Sequence, residues 1–107
     1  MTTTSLVPPE LLDPLVAYFK PQRIILVGST ARGEAGPDSD IDLVVVLDDD
    51  VSPEKLTARA VAEARAGYHG ATDIIPCRAS KLRARARAIG SFAHMVLRDG
   101  VTVYERR

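Results

Sequence analysis

The stretch from Asp40 to Asp50, DIDLVVVLDDD, constrains the fold of this chain more than any other part of it. Leu43 to Leu47 is uninterrupted apolar sequence, β-branched at its centre, with acidic residues on both sides. A short apolar run closed by charge at each end reads as a strand from Asp40 to Leu47 whose apolar part is core. It is far short of the roughly 18 apolar residues that a membrane span requires, and Met1 to Glu10 lacks the basic start and apolar core of a secretory leader. A buried strand needs partners. Arg23 to Val27, bounded by Pro21 and Gly28, predicts a first strand, Ala71 to Pro76 a third and Val101 to Tyr104 a short last one.

Helical patterns alternate with these strands. Leu11, Leu12, Leu15, Val16 and Phe19 predict a helix within Pro8 to Lys20, with Pro14 starting a new segment or kinking this one. Ser52 as N-cap and Pro53 as first helical residue predict a helix running to Gly67. Leu82, Ala86, Ile89, Ala93 and Val96 predict one last helix, weakly interrupted by Gly90. Gly28 to Asp38 carries too many breakers for a long element and is mostly loop, with room for one helical turn at Ser29 to Arg32. Strands alternating with helices imply a sheet covered by helices, so the fold class is α/β or α+β. At 107 residues the expectation is a single domain over 1–107.

Leu, Ile, Val and Phe fill over a quarter of the positions, enough to bury a core and to exclude disorder. Cys77 is alone, so no internal disulfide forms, and with only His69 and His94 beside it no zinc-ligand spacing exists. A reducing cytoplasm fits this usage. The net charge of zero argues against a surface that grips nucleic acid as a whole, and no direct nucleic-acid binding is expected. The charges are nonetheless segregated: Glu34 to Glu63 is acidic, opposed only by Lys55 and Arg59, and Arg78 to Arg107 is basic, opposed only by Asp99 and Glu105. The plain reading is two solvated faces. The sharper one is a cation site in the middle and an anionic ligand or acidic partner near the tail.

Asp40 and Asp42 stand two apart on a strand, so both carboxylates leave the same face, with Cα atoms about 6.5–7 Å apart. Two carboxylates about 4 Å apart repel by on the order of 4 kcal/mol at an effective dielectric of 20. Mg²⁺ suits the pair, since it is usually held by one or two carboxylates together with substrate phosphates. A bare Asp-x-Asp is more often a turn cap, here Ser39 and Asp40, followed by a wet strand end at Asp42. Gly28 and Ser29 change the balance, because they follow the first strand directly and offer a loop whose amides can meet an anion. Other phosphate and metal motifs do not fit: Glu34 stands where a P-loop needs lysine, no Gly-x-Gly-x-x-Gly occurs, and Leu43 replaces the glycine of an EF-hand loop.

The string GSTARGEAGPDSDIDL, from Gly28 to Leu43, resembles the signature of the DNA polymerase beta-like nucleotidyltransferase superfamily, and in particular its minimal nucleotidyltransferase (MNT) branch. The resemblance extends to Asp73 and to the closing DGVTVYER. It implies a mixed sheet with flanking helices and a two-metal transfer of a nucleotide from ATP. Residue by residue, it makes Asp40 and Asp42 ligands of Mg²⁺ bound to the triphosphate. Asp73 completes the second metal site and orients or deprotonates the attacking hydroxyl. Gly28, Ser29 and Arg32 contact the phosphates. Two metals clamping the attacking and leaving oxygens account for the need for three carboxylates.

Larger relatives hold the acceptor in extra domains, and nothing in these residues is left over to supply one. MNT proteins pair with HEPN-domain proteins as antitoxin and toxin, so the resemblance implies binding of a HEPN ribonuclease and transfer of AMP to one of its tyrosines. The alternatives are transfer to a small hydroxyl compound such as an aminoglycoside, and a non-catalytic inhibitory module. His69 reads as a turn residue, His94 as the polar side of the last helix and Cys77 as a small, half-buried residue. Arg83 and Arg87 share a helical face.

Overall fold

The structure is a computed structural model that describes residues 7–28 and 40–107. Its centre is the pair of apolar runs. β1 (Arg23–Val27) and β2 (Ile41–Leu47) pair antiparallel, with Arg23 opposite Val46 and Val27 opposite Asp42. β3 (Thr72–Arg78) lies parallel to β2, and β4 (Val101–Glu105) antiparallel to β1, which gives a mixed sheet of order β3-β2-β1-β4.

Helices cover both faces. α1 (Pro9–Phe19) and α2 (Ala58–Ala64) place Leu11, Leu15, Phe19 and Ala60 in one core with Ile24, Leu26, Leu43 and Val45. On the other face α3 (Ala79–Ala86) and α4 (Phe92–Asp99) bury Leu82, Ala93 and Val96 with Ile25, Val27, Val44 and Val46. Successive residues of β1 and β2 therefore enter different cores, which is why both runs are apolar throughout and do not alternate. The α/β arrangement, a mixed sheet with flanking helices, agrees with the sequence expectation. Among the described residues no helix is long and apolar enough to cross a membrane.

The strands fall where the sequence places them, within a residue or two, while the helices are cut differently. Pro14 neither breaks α1 nor starts a new segment; it lies inside one continuous helix. The bond it removes would have gone to the carbonyl of Glu10, an exposed residue whose oxygen water can reach. The helix expected from Pro53 to Gly67 is two pieces, a 3₁₀ turn over Pro53–Leu56 and then α2. Thr57 separates them: its backbone is extended and its hydroxyl accepts from the Ala60 amide, so it caps α2. The single last helix is likewise two. Gly90 takes φ +89°, and Ser91 caps α4 by accepting from the His94 amide while donating to the Arg85 carbonyl. Pro76 sits inside β3 without disrupting the ladder, because β3 is the edge strand of the described sheet.

The acidic triplet after β2 does more than end a strand. Asp49 accepts from the Ser80 amide at 2.9 Å and so holds the start of α3. Arg78 donates to the carbonyls of Asp49 and Val51. Asp48 accepts from both terminal nitrogens of Arg106, at 2.9 and 3.1 Å, and from Gln22 at 2.7 Å, tying Arg106 to the end of β2 and the start of β1. These donors hold the Asp48 carboxyl at about 2, against an ordinary value of 3.8. A depressed carboxyl contributes stability that is complete above its ordinary value and disappears as pH falls through the folded one. Arg106→Ala is therefore expected to melt below wild type at neutral pH, with the gap closing as pH drops from about 4 to about 2. Thermal melts across that range test this, and a gap independent of pH would assign the loss to packing of the Arg106 stem.

Candidate active site

Antiparallel pairing brings the last residue of β1 to the same end of the sheet as the first residues of β2, and parallel pairing brings the first residues of β3 there too. Val27 lies opposite Asp42, and Asp42 opposite Asp73. Partners in a parallel register point to the same side, so the Asp42 and Asp73 carboxylates leave one face on strands about 4.8 Å apart. Asp40 precedes β2 by one residue and shares the face of Asp42 and of Val44, which enters the core under α3 and α4. Gly28 closes the row. It takes φ +81°, and a Cβ placed on it would stand 2.8 Å from Asp42 Oδ2. Only glycine meets both demands, the left-handed backbone and the close approach to a carboxylate.

The electrostatics match the placement. Partial burial, then the Asp73 charge, then that of Asp40 push the Asp42 carboxyl above its ordinary value. Among the described residues no group of three or more His, Cys, Asp or Glu is close enough to hold a metal ion unaided. A site of this kind would borrow ligands from its substrate, as Mg²⁺ sites do. Ser29 and Arg32 lie outside the described residues. His69 is in an exposed loop, and His94 on α4 points its Nδ1 at the Ala86 carbonyl, 3.2 Å away. Cys77 is half-buried, and burial raises its thiol.

One contributor carried no signal in the sequence. Arg65, just past α2, donates to the carbonyls of Tyr68, Gly70 and Thr72 at 3.3, 2.9 and 3.2 Å, gathering the turn that delivers Asp73. Thr72 adds a 2.6 Å bond from its hydroxyl to the Ile41 carbonyl, which locks the β2–β3 register beside the carboxylates. An arginine among other alanines and arginines gives no hint of this, since its partners are backbone carbonyls.

A family model for the nucleotidyltransferase domain matches residues 9–75, a span that holds Gly28, Asp40, Asp42 and Asp73. The chain belongs to that family. The structural comparisons agree on the fold of this nucleotidyltransferase domain. A candidate nucleotidyltransferase from Sulfolobus solfataricus superposes with a TM-score of 0.58 at 19% identity, over 91% of this chain and 76% of that one. A chain of a toxin–antitoxin structure determined with AMP-PNP superposes with a TM-score of 0.54 at 18% identity, over 94% and 76%. No curated protein matches in sequence.

Two variants probe the site's construction without any ligand. Asp42→Asn is expected to melt at or above the wild-type temperature, because it removes a charge held against burial and two like charges. A clear fall would make Asp42 a structural acceptor. Arg65→Ala is expected to cost about 1–3 kcal/mol in denaturant melts, the range for leaving buried carbonyl partners unmet. Wild-type stability would show that water replaces the guanidinium.

Proposed function

We propose that this chain is an antitoxin of the nucleotidyltransferase type, which binds ATP with Mg²⁺ and neutralises a HEPN ribonuclease toxin by transferring AMP to a toxin tyrosine. The observation that carries the transfer chemistry is the register that sets Asp42 beside Asp73 where Gly28 turns. The fold shared with a chain from a toxin–antitoxin structure determined with AMP-PNP supports the class of partner and of donor.

The donor set fits Mg²⁺. Asp40, Asp42 and Asp73 offer hard carboxylate oxygens, and a cation would lower the Asp42 carboxyl that burial, then the Asp73 and Asp40 charges, raises. When bound, Mg²⁺ would neutralise the triphosphate and the charge that develops on the transferred group. The chain's own residues do the rest. Gly28 leaves room for a phosphate beside Asp42, and Ser29 and Arg32 are assigned to the outer phosphates. Asp73 takes the proton from the acceptor hydroxyl. The hydroxyl oxygen forms a bond to the α-phosphorus as the bond to the bridging oxygen breaks, and pyrophosphate leaves with that electron pair. The acceptor enters from the side opposite the leaving group, so it must approach the sheet end from beyond Asp73.

Intact-mass spectrometry of the chain mixed with ATP, Mg²⁺ and a HEPN-domain toxin protein tests this reading. The expected result is a gain of about 329 Da, one adenylyl group, on the partner. The gain should be lost in Asp73→Asn, and Asp40→Asn and Asp42→Asn should abolish Mg²⁺-dependent nucleotide binding. Tight association without added mass would replace transfer by inhibition through binding, and rapid modification of an aminoglycoside would move the acceptor to a small hydroxyl compound.

A further inference from the structure

The face of the sheet that bears the carboxylates continues into an apolar groove. Val44 and Ile75, the next residues on the same face after Asp42 and Asp73, form its floor, and Cys77, Leu82 and Phe92 its walls. Its volume is about 340 Å³. Lys81 and Arg85 stand at the rim. Beside it, in the turn between α3 and α4, Ile89 is 89% exposed, and Phe92 is 49% exposed. Apolar side chains clustered on a surface next to a recess mark a place where another surface binds.

The charge around the groove says what kind. From Arg78 to Arg98 the chain has no acidic residue, and none of the ion pairs among the described residues uses Lys81, Arg83, Arg85 or Arg87. The complement of an apolar recess in a basic surround is an apolar side chain ringed by Asp and Glu. RNA would match the charge and could stack a base on Phe92, but Ile89, Val44 and Ile75 are aliphatic and make up the larger apolar part of the face, and a lipid surface would not fill a recess.

Resting on the transfer reading above, we propose that the α3–α4 face docks the acceptor protein, seating an apolar side chain flanked by acidic residues in the groove so that a neighbouring hydroxyl reaches Asp73. The spacing allows it: two residues along a strand are about 6.5–7 Å, the distance from groove floor to carboxylate row.

Calorimetric titration of a HEPN-domain protein into Ile89→Asp and into an Arg85→Glu/Arg87→Glu double variant tests the docking face, with Arg107→Glu as a charge-reversal control outside the groove. The exposure of Ile89 keeps its replacement out of the core. At least tenfold weaker association is expected for both test variants and none for the control, with melting temperature and ATP affinity unchanged. Wild-type affinity in both test variants, or no association by wild type, overturns the docking face. Loss of association in the variants, with no AMP added by wild type, keeps the docking face and overturns transfer. Tighter binding of a single-stranded RNA 20-mer or of phosphatidylserine vesicles, lost in the same variants, overturns it in favour of that ligand. Self-association of wild type that Ile89→Asp abolishes assigns the face to a second copy and overturns it as well.

Discussion

The parallel pairing of Asp42 with Asp73 is the constraint around which the rest of this small domain is arranged. It sets two carboxylates on neighbouring strands with a third two residues away, and burial together with these like charges raises the Asp42 carboxyl. The ladder holds because both central strands are buried on both sides: Leu43 and Val45 serve one core, Val44 and Val46 the other. Slipping β2 by one residue would exchange those sets and carry Asp42 into the core under α1. The apolar run thus fixes where the acids emerge. Arg65 and Thr72 then hold the β3 side of the ladder from outside, through backbone carbonyls that impose no charge on the site itself.

Much of this was legible in the sequence, for reasons that differ by element. β1 and β2 are readable because burial on two faces makes them unbroken apolar runs. The period of two also puts Asp40, Asp42 and Val44 on one face. The helices are less so: their apolar spacing survives the cuts at Thr57 and at Gly90, so periodicity carries through a break that a single cap decides. Asp73 had no motif of its own and entered only through the resemblance; the structure sets it opposite Asp42, 31 positions from it in sequence and adjacent in the sheet. Asp48 and Asp49 read only as a strand end, because their partners, Arg106 and Ser80, are 58 and 31 residues away.

The acidic middle of the chain is consequently two things at opposite ends of one strand. From Asp42 to Asp48 the chain rises about 20 Å along β2. At the far end, Arg106 and Gln22 surround Asp48 and pull its carboxyl down to about 2. At the near end burial, then the charges of Asp73 and Asp40, push Asp42 up. The same residue type on the same strand therefore titrates in opposite directions. Among the described residues, the difference lies in what the fold brings to each end: Arg106 reaches Asp48 at one, and at the other Asp42 and Asp73 meet beside Gly28. The Asp42 end lies next to the groove floored by Val44 and Ile75, the face proposed above to dock an acceptor.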